Sequence, residues 1–131
     1  MAPIIYLKSD EVVALHDDVE IRTGDQPSPL SYPDRLDSAL NRPRQAAHYE
    51  GADLVRQGTL LAVAISQSQS FQNGNKRAAF QAMIVFLELN GLIFNGDPMR
   101  LAQWLLDVAE ASREDRELIV DCFEAWLRGQ V

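Results

Sequence analysis

Seven consecutive residues, Phe71 to Arg77 (Phe-Gln-Asn-Gly-Asn-Lys-Arg), bring together groups suited to holding an anion. Gly74 and the asparagines at 73 and 75 permit the unusual backbone angles of a tight loop. A helix is expected to start directly after them, so several N–H groups in its first turn lack intrahelical acceptors. Such a terminus attracts negative charge, and Lys76 and Arg77 add two cations at the same place. Arginine can grip phosphate oxygens bidentately, whereas lysine supplies a point charge. Lys76 is one of only two lysines in the chain. The segment is not a Walker loop, because the glycine spacing and the Lys-Ser/Thr pair are missing. As a bare stretch it reads equally as a turn followed by two solvated helix residues. The chemistry at stake is phosphate binding.

Helices must position that loop, and the hydrophobic pattern is helical almost throughout. Ser9 or Asp10 is expected to cap a first helix, with Val12, Leu15, His16 and Val19 on one face and Gly24 as its stop. Three prolines between Gly24 and Pro33 make that stretch a loop. Pro33 then opens a short helix through Leu36, Ala39 and Leu40 that Pro43 stops, and a second short piece carries Arg44 to Tyr49. Asp53 to Gln67 is a strongly apolar helix containing Gly58, which costs about 1 kcal/mol relative to alanine.

After the loop, Phe80, Met83, Ile84 and Leu87 recur at helical spacing until Asn90-Gly91. Pro98 starts the next helix, whose inner face is Leu101, Trp104, Leu105 and Val108. Ser112 and Asp115 resemble a capping box for a last helix burying Leu118, Ile119, Cys122, Phe123 and Trp126. Leu92 to Asn95 is the one plausible strand. The expectation is an all-α bundle around one long central helix, with residues 1–131 forming a single domain.

Composition narrows the function classes. The 131 residues are 47% hydrophobic and 24% charged, an ordinary globular balance. Nineteen acidic against twelve basic side chains give a net charge of −7, which argues against whole-surface attraction to nucleic acid or anionic membrane. Apolar runs such as Thr59 to Ile65 are too short to span a bilayer. The start of the chain lacks a secretory signal's basic and long apolar regions, so a cytoplasmic location is expected. With Cys122 the sole cysteine, there is no internal disulfide and no multi-cysteine metal site.

The stretch Gln69 to Arg77 resembles the signature of the Fic/Doc family, written His-Pro-Phe-x-Asp-Gly-Asn-Lys-Arg in its Doc-like branch. Similarity to death-on-curing proteins extends to Leu7–His16, Asp34–Pro43, the Tyr49 region, Phe86–Gly91 and Trp126-Leu127. The resemblance implies a compact helical fold and transfer from a nucleoside triphosphate, such as ATP, to a hydroxyl of a target protein. Fic enzymes usually transfer AMP; Doc toxins resemble protein kinases acting on elongation factor Tu, and they pair with a small antitoxin. By the same resemblance, Asn75, Lys76 and Arg77 with the Gly74 backbone would hold phosphates, and Phe71 would anchor the loop. Gln69 occupies the position of the family's general base, and Asn73 that of its Mg²⁺ ligand.

Those last two residues depart from the family pattern. A glutamine amide cannot accept the acceptor's proton as histidine does, and losing a positioned base typically costs about 10²–10⁴-fold in rate. Asn73 offers Mg²⁺ a carbonyl oxygen without the charge that strengthens hard-cation binding. Activity is therefore expected to be weak or absent as the sequence stands. The alternative is a degenerate member that only binds nucleotide or partner; a nucleic-acid-binding helical domain is a distant third. Neither His16, on an apolar stripe, nor His48, in a polar segment, belongs to the signature. Cys122, Trp104 and Trp126 read as core, and Arg35, Arg42 and Arg44 as solvated helix residues that could also rim a cleft.

Overall fold

The computed structural model describes residues 3–131. Local chemistry sets most of the helix ends. The first helix, α1 (Ser9–Arg22), starts where the Glu11 carboxylate accepts the Lys8 N–H at 2.9 Å, so the cap residue is Lys8 instead of Ser9 or Asp10. It ends at Thr23, whose hydroxyl donates to the Glu20 carbonyl at 2.9 Å. The proline-rich stretch that follows is irregular, as its composition requires.

Next comes α2 (Pro33–Glu50), one continuous helix with Pro43 inside it. The expectation of two short helices broken at Pro43 fails. A proline costs a helix interior about 3 kcal/mol or more. Here Leu36, Ala39, Leu40, Pro43 and Ala46 share one buried face, and burying that face keeps the helix intact across the break. The helix α3 (Leu54–Ser68) is capped by Asp53, which accepts the Arg56 N–H at 2.9 Å. Ten of its fifteen residues are buried.

After the loop come α4 (Asn75–Leu89), α5 (Pro98–Glu110) and α6 (Arg116–Arg128). Asp97 caps α5 through the Met99 N–H at 2.9 Å. Ser112 accepts the Asp115 N–H at 3.2 Å, half of the expected box, one turn before α6 begins. The only bridge of β type among the described residues is an isolated one between Leu30 and Phe71. Leu92 to Asn95 is therefore not a strand; the Asn95 N–H bonds instead to the Gln130 carbonyl at 2.7 Å.

The core is shared by α3 and α4, which run antiparallel, since Gly58 near the start of one meets Leu87 near the end of the other. A Cβ at Gly58 would lie 2.9 Å from a Leu87 methyl. The helical glycine is what lets these two helices approach. Around them Phe71, Phe86, Phe123, Leu61, Ile65 and Met83 are all at least 98% buried. Leu118 and Cys122 are exposed, which corrects their assignment to the core. The buried face of α6 is Val120, Phe123 and Leu127, with Ile119 and Trp126 at its edges. Trp104 and Trp126 flank Phe123 with ring centroids 6.1 and 6.5 Å away. Arg128 joins α6 to the start of α3 through Asp53 at 2.6 Å. No helix among the described residues is long and apolar enough to cross a membrane.

Candidate functional site

The signature segment bridges the end of α3 and the start of α4, and each of its residues is fixed by a different force. Gln69 closes α3 in the left-handed region, φ 51° and ψ 37°, and among the described residues no other non-glycine has positive φ. Its side chain is exposed, with one long bond from Nε2 to the Ser66 carbonyl at 3.4 Å. Ser70 is buried, and its carbonyl accepts the N–H groups of Ser31 and Tyr32 at 2.8 and 3.0 Å. The Gln72 N–H bonds to the Pro29 carbonyl at 3.2 Å. The proline-rich loop thus backs the signature loop strand-fashion.

Phe71 is 2% exposed, its ring buried beneath the loop. Its ring stacks on the buried His16 imidazole, 3.8 Å between centroids and 8° from parallel. His16 Nε2 donates to the Asn73 carbonyl at 2.8 Å, and Nδ1 lies 2.9 Å from Asp17 Oδ1. Ser28 completes the support: its hydroxyl accepts the Asn73 N–H at 3.1 Å and reaches the Asn73 carbonyl at 3.1 Å. These bonds fix the Asn73 backbone and leave its side chain at the cavity wall.

Asn75 acts on the loop itself. Its Oδ1 accepts the Phe71 N–H at 3.0 Å, and its Nδ2 donates to the Phe71 carbonyl at 2.9 Å. The side chain is buried with both its Oδ1 and its Nδ2 bonded to Phe71, so what Asn75 offers to a ligand is its backbone N–H. The first bond of α4 runs from the Ala78 N–H to the Gly74 carbonyl at 2.9 Å; among the described residues the N–H groups from Gly74 to Arg77 have no such acceptor. They border a cavity of about 310 Å³ lined entirely by the segment from Gln69 to Arg77. Lys76 is on its rim and makes no ion pair among the described residues. Unpaired backbone donors beside a free lysine make an arrangement suited to an anion.

Arg77 is placed differently from its neighbour. Its guanidinium turns toward α1, donating to Thr23 Oγ1 at 3.1 Å and lying 3.5 Å from the Glu20 carboxylate and 3.8 Å from Asp25. Glu20 is itself 97% buried, 3.4 Å from His16 Nε2, directly under Gly74. Gly74 has φ +81°, and a Cβ there would fall on the Glu20 carboxylate. Glycine is required twice over at this position, for its backbone angle and for the carboxylate beneath. Glu20 and Ser28 are site residues that the sequence alone does not single out. The spacing of Glu20 four residues after His16 on one helix face was an available signal; Ser28, inside a proline-rich loop, gave none.

The other candidates lie elsewhere. His48 is exposed, edge-on to Tyr49 at 4.6 Å. Arg44 lies over the Tyr6 ring at 4.7 Å, while Arg35 and Arg42 line a separate cleft between α2 and α3. Among the described residues, no three His, Cys, Asp or Glu side chains are grouped to hold a metal ion. The side-chain oxygens of Gln69, Gln72 and Asn73 at this cavity are uncharged amides, so a magnesium ion here would be held mainly by phosphate oxygens and water.

A model of the Fic/DOC family matches residues 6–87, which contain the whole site. The chain is also 31% identical over 88 residues to a protein kinase, Doc, of Escherichia phage P1. That alignment covers 66% of this chain and 69% of the phage protein.

Proposed function

This chain belongs to the Fic/Doc family, and from that premise we propose that it is a Doc-like toxin that binds a nucleoside triphosphate at the start of α4. The observation that carries the reading is the clamped loop with four backbone N–H groups, from Gly74 to Arg77, that have no acceptor among the described residues, beside Lys76. These donors and Lys76 suit phosphate oxygens, while Arg77 is held against α1 by Thr23, Glu20 and Asp25. When bound, the nucleotide with its Mg²⁺ supplies an electrophilic phosphorus. In the transfer an acceptor hydroxyl oxygen bonds to that phosphorus and the bond to the leaving phosphate oxygen breaks. The hydroxyl proton must go to a base, and Gln69 is not one. It passes to solvent, and the reaction is slow. The proposed acceptor is a protein hydroxyl, with elongation factor Tu as the first candidate, and a small antitoxin is the proposed regulatory partner.

Gln69 and Asn73 favour a second reading, in which the pocket binds nucleotide or partner without transferring anything. Calorimetry with ATP, ADP and inorganic phosphate tests the shared premise. Binding at millimolar ligand or tighter is expected, and Lys76→Ala should weaken it about tenfold, the loss of one charge-assisted contact. Absence of binding to all three ligands defeats both nucleotide readings. Transfer of labelled phosphate or labelled AMP to target protein then separates kinase, AMP-transferase and binding protein.

A further inference from the structure

A second cavity, of about 540 Å³, lies between α2 and α3 and meets the first at Gln69, which borders both. Arg35, Ser38 and Arg42 face it from α2 at i, i+3 and i+7, while Gln67 and Ser68 face it from α3. Among the described residues the two arginines are its only charged ones, in a chain whose net charge is −7. Neither is well satisfied. The Arg35 guanidinium rests on the Tyr32 ring at 3.9 Å and makes no ion pair among the described residues. Among the described residues Arg42 reaches only Glu50, at 3.4 Å, with both side chains substantially exposed.

We propose that this cleft holds the acceptor segment of the target protein and selects an acidic one, an inference that rests on the transferase reading above. Arginines pair bidentately with carboxylates, and two of them at i and i+7 are about 10 Å apart along the helix. A peptide in the polyproline II conformation advances about 3.1 Å per residue with three residues per turn, so acidic residues three positions apart share one face and meet both guanidiniums. The acceptor hydroxyl then enters the phosphate cavity past Gln69. Two cations within an acidic molecule suit a short acidic peptide. They do not suit a polyanion, whose other phosphates the remaining surface would repel.

Fluorescence anisotropy on the full chain tests this with labelled ten-residue peptides. One carries a central threonine and two glutamates three positions apart, a second has glutamine at both places, and a third has lysine. The glutamate peptide is expected to bind at least tenfold tighter than the others, and Arg35→Gln and Arg42→Gln should each remove most of that preference. Calorimetric binding of inorganic phosphate should be unchanged in both variants, which reports an intact fold and cradle. Equal binding of the three peptides overturns the proposal. So does a preference that survives both substitutions, or one abolished by Lys76→Ala alone, which places the acid in the cradle. Tighter binding of a ten-nucleotide single-stranded RNA than of the glutamate peptide overturns it in favour of nucleic acid. Peptide selection without phosphate binding would refute the transferase reading and leave an acidic-peptide site; phosphate binding without peptide selection would refute this inference alone.

Discussion

The His16 imidazole lies flat on the Phe71 ring at 3.8 Å, and through Nε2 it also holds the Asn73 carbonyl at 2.8 Å. One side chain of α1 therefore fixes the signature loop both by apolar stacking and by a hydrogen bond. Phe71→Ala should remove the stack and leave a cavity under the loop, costing about 3–5 kcal/mol for a fully buried ring. Urea unfolding measures it. A variant as stable as the parent would show that the ring does not anchor the loop.

Gln69 should be replaceable by glycine with a gain. Its left-handed conformation costs a non-glycine residue about 1–2 kcal/mol, part of which glycine gives back as unfolded-state entropy. Gln69→Gly is expected to stabilise by about 1 kcal/mol, and Gln69→Val, β-branched, to destabilise. Thermal unfolding of the pair decides, and an unchanged midpoint in both would contradict the assigned backbone.

Restoring the two departed positions should raise activity. Gln69→His supplies a base that titrates near neutrality, and histidine tolerates the left-handed region better than most residues. Asn73→Asp supplies an anionic oxygen for Mg²⁺. The first change alone should gain about 10²-fold or more in nucleotide-dependent labelling of elongation factor Tu or of lysate proteins. The double variant should exceed either single one. An inert double variant that is folded and binds nucleotide would establish the binding-only reading.

Asp53 gives a pH prediction. The Arg128 guanidinium, then the Arg56 N–H, hold its carboxyl below the usual range. A depressed folded-state pKa contributes stability above the unfolded value, about 3.9, and that contribution is lost as pH falls through the folded value. Asp53→Asn keeps a cap acceptor while removing the charge. The variant should be less stable than the parent at pH 7, with the gap closing in acid; a gap independent of pH between 7 and 2 would exclude the ion pair as its source.

The sequence made the helical class legible because its apolar periodicity and caps agree almost everywhere, as at Asp53 and Pro98. It misled where distant contacts overrule local preference. Pro43 reads as a stop until four buried neighbours on the same face are seen to hold the helix together. Leu118 and Cys122 have core spacing only if α6 is turned by part of a revolution; its actual seam is Val120, Phe123 and Leu127. At the site, residue identities located the loop and the buried Phe71. The redirection of Arg77 by Glu20 and Thr23 depends on α1 passing beneath the loop, a contact across more than fifty residues that no local pattern encodes.

The reciprocal bonds between the Asn75 amide and the Phe71 backbone close five residues into a ring. A ring closed in this way has few conformations to lose. A ligand arriving at the N–H groups of Gly74 to Arg77 meets them already oriented, so its affinity carries little of the ordering entropy that a slack glycine loop would subtract. Lys76 alone, exposed at the rim, must be immobilised on contact. The proposed phosphate recognition would be closer to a key entering a fixed lock than to a loop folding around its ligand.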